Sequence, residues 1–405
     1  MPTHILVECP EYIVSASLGV VECLKPFEKT GGCEIRFIKT VSIKAKDIVW
    51  ADILVTVRGC ETQSVRIVEE AKKAGRLIVY YLDDDLLNIP EESLAREYYD
   101  DFQIEDGMRR ILAMTDVLWG VNPNIKEIYL PLTGGRWIRN RVPKVPSAPL
   151  ADFSGGQPVK ILYAGSTDHA VIVREILSPV VKRICKEYGD RVSATFIGVN
   201  PYLSELSNVR YIPFIKPYEA YQDFVNKGNF AIGLAPGRTT RFFGCKYYNK
   251  FLEYSAIGAV GVYTRYEPFT QIVEDRVNGM LCENTEEGWY QAIKALLDDP
   301  ALLRRCAQSA RDLLIAQFDP EAAAEDLLSQ CPEFCGFKAP ACDEKSIRLG
   351  SAFFTFYWER TKLLWRNKGV LGLPIIAWRV VKVLTITVWR GIRRLVQNLF
   401  QRDHR

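Results

Sequence analysis

Short apolar segments alternate with amphipathic helical segments along the N-terminal part of the chain, and this alternation restricts the possible folds more than any other feature. Four segments have the pattern of buried strands: HILVE, ADILVTVRG, RLIVYYLDDD and DVLWGVNP. Helical patterns lie between the later segments, for example VRIVEEAKKAG, which ends at Gly75. Because strands that alternate with helices form a parallel sheet covered on both faces, we predict an α/β domain here.

The same alternation begins again after a segment without periodicity. Residues 146–158, PSAPLADFSGGQP, are rich in proline and glycine and are predicted to be a linker. Beyond them the strand patterns VKILYAG, VSATFIG and FAIGLAP alternate with helical patterns. We therefore predict an α/β protein with two Rossmann-like domains, 1–145 and 159–330, which face each other across a cleft at the carboxyl ends of their strands.

Length, composition and cysteine usage agree with this organisation. A chain of 405 residues exceeds one ordinary core, and 48% hydrophobic with 25% charged residues is typical of globular proteins. Eleven cysteines are scattered singly and the N-terminus has no secretory signal pattern, which predicts a reducing, cytosolic setting. Cys331, Cys335 and Cys342 have a spacing that fits zinc patterns poorly, with no histidine nearby, so no metal site is predicted.

A candidate anion site follows the first strand of the second half. The segment ILYAGSTDH is an apolar strand that leads into Gly165 and Ser166, and a helix is expected to begin near Ala170. Small residues before a helix N-terminus let a phosphate approach the free backbone N–H groups. His169 is one of three histidines in the chain and is a candidate ligand contact. An ordinary strand-to-helix turn remains the alternative.

A second candidate site is the segment KYYNKFLEYSAIGAVGVYT, which begins at residue 246. In one helix, Lys246, Lys250 and Glu253 would lie at positions i, i+4 and i+7 and would share a face. The following small, apolar residues predict that this helix packs closely on a core strand, which would bring its charged face to the cleft. The alternative is a solvated Lys–Glu surface pair worth a few tenths of a kcal/mol, roughly.

Residues 233–300 resemble the donor-binding region of retaining, family-four (group 1) glycosyltransferases, which have the GT-B fold and act in surface polysaccharide synthesis. The resemblance rests on the block NKFLEYSAIG, the turn NGMLCENTEEGW and the closing helices, in that order. The segment ILYAGSTDH resembles the first strand and turn of the same domain. The segments ADILVTVRG and RLIVYYLDDDLLNIP resemble the N-terminal, acceptor-binding domain of the polysaccharide-synthesising members.

The resemblance implies roles for the candidate residues. Glu253 corresponds to the glutamate that hydrogen-bonds the ribose of a nucleotide sugar. Lys250 and Lys246 would offset the charge of the diphosphate, and Gly165 to His169 would form the turn beside the phosphates. Since fixed cations and N–H dipoles stabilise a departing nucleoside diphosphate, no metal or other cofactor is expected.

The sequence also departs from the family pattern. Many members carry a sugar-contacting glutamate where this chain has Cys245. The arginine and lysine that usually follow the first strand of the donor domain are absent, and Arg238, Arg241 or Lys246 is expected to replace them. The sugar-contacting carboxylate of the family is therefore not carried over to this chain.

Three residues of the first half are cleft candidates. Asp83 and Asp85 form a D-x-D pattern, which in GT-A glycosyltransferases holds a divalent cation. Because the pattern lies far along the chain from the donor-like segment, we expect an acceptor-facing or loop-structuring role instead. Arg58 ends the strand ILVTVR and is the third candidate, with a surface salt bridge as the alternative.

The C-terminal segment 346–405 is basic and rich in aromatic residues. It carries an excess of ten positive charges although the whole chain carries only +3. From residue 374 an apolar stripe at three- and four-residue steps lies opposite the basic residues, which predicts amphipathic helices lying on an anionic membrane surface. Packing of this tail on the protein's own N-terminal domain is the alternative, and nucleic acid is not an expected partner.

Together these features predict a cytoplasmic protein, peripheral on the inner face of the cell membrane, with a nucleotide sugar as co-substrate. The predicted reaction is transfer of its sugar to a lipid-linked or saccharide acceptor. Two alternatives remain: a sugar-nucleotide epimerase on the same fold, or a degenerate protein that binds nucleotide sugars without catalysis.

Overall fold

The computed structural model contains two parallel six-stranded sheets, each with helices packed on it. It describes residues 1–91, 93, 95–151, 157–166 and 169–350, and the isolated positions 358, 361–362, 365–366, 369, 374, 377 and 381. Within these residues the predicted pair of Rossmann-like domains is confirmed. Most of the predicted tail, 346–405, and part of the linker lie outside the described residues.

The first sheet is built from the N-terminal domain in the order β2-β1-β3-β4-β5-β6, and all its pairs are parallel. Its strands are β1 (Thr3–Cys9), β2 (Cys33–Lys39), β3 (Ile53–Val57), β4 (Leu77–Leu82), β5 (Val117–Gly120) and β6 (Arg136–Arg139). All five residues of β3, ILVTV, are buried, as expected for a central strand covered on both faces.

Helices from the same part of the chain pack with this sheet. They are α1 (Val14–Ala16), α2 (Glu22–Lys29), α3 (Ala45–Trp50), α4 (Thr62–Lys73), α5 (Arg96–Tyr99), α6 (Phe102–Met114) and α7 (Pro123–Tyr129). The predicted helix VRIVEEAKKAG is part of α4. Gly75, which follows it, has a φ of +74°, a left-handed conformation that glycine adopts without a side-chain penalty and that commonly ends helices.

The second sheet has the order β12-β11-β10-β7-β8-β9, also parallel throughout. Its strands are β7 (Val159–Ala164), β8 (Val192–Ile197), β9 (Val209–Ile212), β10 (Ile232–Ala235), β11 (Val260–Thr264) and β12 (Met280–Cys282). The first strand of the domain, β7, therefore lies beside the fourth, β10. Strand order reverses between them, and ligands of such sheets bind at the carboxyl ends beside this reversal point.

The helices of the second half begin with α8 (Ala170–Ile172), α9 (Ser178–Tyr188), α10 (Tyr218–Lys227), α11 (Arg241–Gly244) and α12 (Asn249–Ala256). The remaining ones are α13 (Glu286–Asp298), α14 (Pro300–Phe318), α15 (Pro320–Gln330) and α16 (Glu333–Gly336). Two of them do not cover the second sheet: α15 packs on α2 and β6, and α16 packs on β1. The chain thus crosses back to the N-terminal domain after Phe318, within the range 159–330 assigned to the second domain by sequence.

The segment after α15 is held firmly on the N-terminal domain. The ring of Phe334 is fully buried and lies 5.4 Å from that of Trp119. The guanidinium of Arg136 donates to the carboxylate of Glu333 at 2.7 Å. The sulfur of Cys342 accepts a hydrogen bond from Arg76, whereas the sulfur of Cys331 accepts one from Arg136. Within the described residues, no group of three or more His, Cys, Asp or Glu side chains is arranged to hold a metal ion.

The expected helix over 246–256 begins later than the spacing predicts. Helix α12 starts at Asn249, so Lys246 lies before it and does not share its face. The side-chain amide of Asn122, in the N-terminal domain, donates to the carbonyls of Gly244 and Lys246 at 2.8 and 2.7 Å. These carbonyls are therefore engaged by the other domain rather than by the next helical turn.

Few positions of the tail are described. The guanidinium of Arg366 lies 3.1 Å from the carboxylate of Asp101 at the start of α6, and the indole of Trp365 is about half exposed. None of the helices in the described part of the chain is long and apolar enough to cross a bilayer. The predicted amphipathic stripe from residue 374 onward lies almost entirely outside the described residues.

Candidate active site

The turn after β7 lies at the reversal point of the second sheet. Gly165 follows β7 directly, and a Cβ atom at this position would come within 2.4 Å of the Tyr163 hydroxyl, so only glycine fits. The backbone N–H of His169 donates to the carbonyl of Ser166 at 3.2 Å, and His169 precedes the short helix α8. The predicted turn is thus formed by Gly165, Ser166 and His169, while residues 167 and 168 lie outside the described part.

Lys250 and Glu253 form a close pair on α12, next to this turn. The ammonium of Lys250 lies 2.5 Å from one carboxylate oxygen of Glu253, and the Tyr221 hydroxyl donates to the same oxygen at 3.2 Å. Burial disfavours the charged form of Lys250, but the adjacent Glu253 carboxylate outweighs it and raises the pKa of Lys250 above its ordinary value. Lys250 is therefore a permanently charged ammonium in a largely desolvated position.

These groups open into a connected set of cavities. One, of about 480 Å³, is bounded by Gly165, Ser166, His169, Lys250 and Glu253 together with apolar residues and tyrosines of the β9–α10 region. A smaller cavity of about 130 Å³ shares the turn and Lys250. The largest, about 690 Å³, lies between the two domains and reaches Glu253 from the other side. The predicted cleft is therefore present, and the charged pair lies at its junction.

Arg58 and Asp83 meet at the carboxyl ends of β3 and β4, on the opposite wall. The Arg58 guanidinium donates to Asp83 at 2.5 Å and to Asp84 at 2.8 Å. Burial would raise the pKa of Asp83, but Arg58 outweighs it and holds the value below the ordinary range. Arg58 also has a φ of +51°, which is strained for a residue other than glycine and is a feature found at functional sites.

Lys246 joins this wall to the second domain. Its ammonium lies 2.8 Å from the carboxylate of Asp84, which also receives the hydrogen bond from Arg58. An alternating chain of charges, Arg58–Asp84–Lys246, therefore crosses from one domain to the other. Lys246 also borders the 130 Å³ cavity together with Gly165 and Lys250, so its place beside the diphosphate stays a prediction.

The remaining predicted residues do not converge on the turn. Asp85 is fully buried and accepts hydrogen bonds from Tyr129 at 2.8 Å and from Asn88, which supports the loop-structuring role. Arg241 is exposed at the start of α11, and neither it nor Arg238 borders the three cavities described above. The D-x-D residues Asp83 and Asp85 thus have separate partners.

Cys245, at the position where the family often has glutamate, is also withdrawn from the cleft. Its side chain is fully buried, and its sulfur lies 4.0 Å from a carboxylate oxygen of Asp85. Burial, with Asp85 as a further contribution, raises the pKa of Cys245 to about 12. The thiol therefore remains protonated and supplies no negative charge.

Sequence reasoning did not identify several groups around the pair. Tyr218 and Tyr221 lie at i and i+3 on α10, and both border the 480 Å³ cavity; their spacing was the only available signal. Lys144 borders the interdomain cavity from the segment that joins the domains. Burial, opposed by Glu253 and reinforced by Lys250, lowers the pKa of Lys144. Asp84 was passed over because it is the middle residue of the D-x-D pattern.

Two Rossmann-like domains that face each other across such a cleft define the GT-B fold. No family model matches the chain, and no curated protein matches it in sequence. Among solved structures, HepE from Anabaena in complex with UDP-glucose is 12% identical with a TM-score of 0.58, over 82% of this chain and 99% of HepE. Sucrose-phosphate synthase from Thermosynechococcus elongatus is also 12% identical with a TM-score of 0.58, over 82% of this chain and 98% of that one.

A third similar structure is that of "trehalose-6-phosphate from E. coli bound with UDP-2-fluoro glucose". It is 11% identical with a TM-score of 0.56, over 83% of this chain and all of that one. At such low identity these likenesses establish the GT-B fold of this chain. The predicted fold is thereby confirmed, while the assignment to the retaining, family-four group stays a prediction.

Proposed function

We propose that this protein is a glycosyltransferase that moves a sugar from a nucleoside diphosphate sugar to a saccharide or lipid-linked acceptor. The observation that carries the proposal is the position of the Lys250–Glu253 pair beside the Gly165 turn, at the reversal point of the second sheet. The likeness in fold to structures that hold UDP or UDP-glucose supports a nucleoside diphosphate sugar as the donor.

The proposed roles follow from the chemistry of each group. The Glu253 carboxylate accepts hydrogen bonds from ribose hydroxyls, and Tyr221 and Lys250 fix its orientation. The Lys250 ammonium and the backbone N–H groups of the turn stabilise the negative charge that develops on the leaving diphosphate. We propose that these fixed charges suffice without a metal ion and that the configuration at the sugar is retained. We assign no protein base.

The acceptor is proposed to enter the 690 Å³ cavity between the domains. On the N-terminal side this cavity is bordered by Val14, Leu18 and Tyr81, and by the carboxylates of Glu22 and Asp83. Walls that combine apolar and polar groups suit a ligand of mixed character. This supports an acceptor that presents a hydroxyl group on a partly apolar molecule, such as a lipid-linked saccharide.

A non-catalytic nucleotide-sugar-binding protein is the second candidate, and the burial of Cys245 is the observation in its favour. A buried thiol at this position cannot replace the carboxylate that contacts the donor sugar in many members of the family. Nucleotide binding through Glu253 and Lys250 would remain, whereas stabilisation of the reacting sugar would be lost.

A donor panel separates these functions. The full chain would be incubated with UDP-, GDP- and ADP-sugars, with and without a membrane lipid extract, and released diphosphate and labelled lipid product would be measured. Acceptor-dependent release by the wild type, abolished in Glu253→Ala and retained in Glu287→Ala, supports the transferase. Glu287 is an exposed residue of α13 and serves as the matched control.

The other outcomes of the panel are equally distinct. Binding of a nucleotide sugar without release of diphosphate, even with extract present, would leave only the non-catalytic function. Conversion of one nucleotide sugar into its epimer without any acceptor would instead identify the epimerase. If no nucleotide sugar binds, the whole proposal is wrong.

We further propose that the protein works in the cytoplasm, on the inner face of the cell membrane, with residues 374–405 on the anionic lipid surface. The support is the excess of ten positive charges in 346–405 and the apolar stripe opposite them. The contact between Arg366 and Asp101 places one residue of this segment on the N-terminal domain, upstream of the proposed membrane helix.

A further inference from the structure

The hydroxyl group of Tyr163 is buried without a hydrogen-bond partner. The side chain is only 3% exposed, and no donor or acceptor contacts its oxygen in the described part of the chain. A buried polar group without a partner costs free energy, so native structures contain few of them, and those that persist often mark functional positions. The neighbouring buried tyrosine, Tyr254, shows the usual arrangement, since its hydroxyl donates to the carbonyl of Leu234 at 2.8 Å.

The unpartnered hydroxyl lies at the proposed donor site. Tyr163 is the penultimate residue of β7, and its oxygen lies so close beneath Gly165 that it occupies the space a Cβ atom would need. Tyr163 borders the cavity of about 130 Å³, together with Gly165, His169 and Lys250. This volume has room for several water molecules, whereas the Tyr163 oxygen itself is closed to solvent in the free protein, so a ligand atom would reach it only with a small shift of the cavity wall.

Two hydrogen-bond donors, the Tyr163 hydroxyl and the Lys250 ammonium, belong to residues that border this cavity. Burial raises the pKa of Tyr163 above its ordinary value although Lys250 opposes the shift, so the hydroxyl keeps its proton and can donate. Lys250 lies within electrostatic range of Tyr163. Its ammonium has three N–H donors and no acceptor, and it donates to Glu253. An anionic oxygen in the cavity would satisfy Tyr163 and Lys250 together.

We propose that the Tyr163 hydroxyl is a further donor-binding group, which donates a hydrogen bond to a phosphate oxygen of the nucleoside diphosphate. The inference rests on the proposed function and deepens it by adding a neutral hydrogen-bond donor beneath the Gly165 turn. In the free protein the hydroxyl stays unpaired, and the bound phosphate completes its hydrogen bonding.

Tyr163→Phe tests this assignment because it removes one oxygen atom and keeps the shape of the ring. In the free variant the melting temperature should stay the same or rise, since no hydrogen bond is lost. The dissociation constant for the nucleoside diphosphate that binds best among UDP, GDP and ADP should rise by about tenfold or more, as for a lost hydrogen bond to a charged group. The affinity for the corresponding nucleoside should not change.

Tyr254→Phe is the matched control. It removes the hydroxyl of another buried tyrosine, which does have a partner, so its melting temperature should fall while diphosphate affinity changes much less than in Tyr163→Phe. Both variants would be compared with the wild type by thermal unfolding and by calorimetric titration.

These measurements give different results if only this inference is wrong and if the proposed function is wrong. If the wild type binds a diphosphate and Tyr163→Phe binds it equally well, the assignment of Tyr163 is wrong and the proposed function stands. A lowered melting temperature of free Tyr163→Phe would also overturn it, because the hydroxyl would then have a partner. If the wild type binds none of the three diphosphates, the proposed function fails and the inference fails with it.

Discussion

Glu253 combines two tasks at the residue scale. Its carboxylate keeps the largely buried Lys250 charged, and it presents acceptor oxygens to the cleft together with the hydroxyl of Tyr221. Burial alone would lower the pKa of the lysine, since removing a charge from water is costly. The charge of the donor site therefore depends on a pair rather than on either residue.

Glu253→Gln should make diphosphate affinity dependent on pH. In the wild type the pKa of Lys250 is raised above its ordinary value near 10.4, so the lysine stays charged across the neutral and alkaline range. Without the carboxylate, burial dominates and the pKa falls below about 10.4. Affinity of the variant should then decrease as pH rises from 7 towards that lowered pKa, by up to about 1.5–3 kcal/mol.

Calorimetric titration with UDP, GDP and ADP between neutral pH and pH 9.5 measures this dependence. Glu287→Gln, at an exposed position on α13, is the control and should follow the wild type. A flat profile for Glu253→Gln at wild-type affinity would show that Glu253 does not maintain the charge of Lys250.

At the scale of elements, the central strands were predictable, whereas the edge strands β2, β6 and β12 were not. The strands β2 and β6 form the two edges of the first sheet, and β12 forms one edge of the second. The sequence CEIRFIK of β2 mixes polar and apolar residues, and most of its residues are half-buried. An edge strand has one neighbour and much solvent contact, so its residues do not require the apolar run by which a central strand is recognised.

The first residue of α12 was also not predictable from the local sequence. The spacing of Lys246, Lys250 and Glu253 predicts one helical face, yet the N-terminal domain binds the carbonyls before Asn249. Lys250 and Glu253 were predicted correctly as neighbours because their contact is local. The position of Lys246 depends on residues more than a hundred positions away in the chain, and no local pattern contains that information.

Phe334→Ala should lower the stability of the N-terminal domain markedly. This residue lies beyond the second domain, is fully buried and packs on Trp119, so its truncation leaves a cavity and should cost about 3–5 kcal/mol. Ile315→Ala, at a half-exposed position on α14, is the matched control and should change the free energy of unfolding by about 0.5 kcal/mol or less. Denaturant unfolding measures both values, and equal effects would show that α16 does not stabilise the domain.

At the scale of the whole molecule, charges and hydrogen bonds connect the two domains beside the cleft. Asp84 accepts from Arg58 within its own domain and from Lys246 of the second domain, each at 2.8 Å. A further hydrogen bond joins the segment before the linker to the second domain: the hydroxyl of Tyr247 accepts from the backbone N–H of Val142 at 3.2 Å. The negative charge of Asp84 therefore offsets the positive charge of Lys246 and opposes the approach of a diphosphate to the Lys246 ammonium.

Asp84→Asn should consequently bind a nucleoside diphosphate more tightly than the wild type. The substitution removes the charge that holds Lys246, and the gain should be about 0.5–1 kcal/mol, the usual size for a partly exposed ion pair. Calorimetric titration at low and at high salt measures it, since screening reduces the difference. Asp106→Asn breaks an exposed pair on α6 and is the control. Weaker binding by Asp84→Asn would show that Asp84 is needed to shape the cleft.

Deletion of residues 374–405 should abolish binding to anionic vesicles. The deletion removes most of the basic residues and the apolar stripe, and each basic residue near the surface is worth about 1 kcal/mol. Cosedimentation with phosphatidylglycerol-containing vesicles, compared with neutral phosphatidylcholine vesicles, measures the loss. Nucleotide affinity should not change because the proposed donor-site residues lie between positions 163 and 253. Undiminished sedimentation of the deletion variant would place the anchor elsewhere.

The sequence by itself determined the two α/β halves, the glycine turn after β7 and the closeness of Lys250 and Glu253. Each of these depends on hydrophobic periodicity or on residues close together in the chain, which are properties that a local pattern records. Only the tertiary structure decided that Lys246 pairs with Asp84, that Cys245 is buried and that the Tyr163 hydroxyl lies unpartnered beneath Gly165. Those outcomes depend on which strand ends and which domain surfaces meet, and such contacts join residues that are distant along the chain.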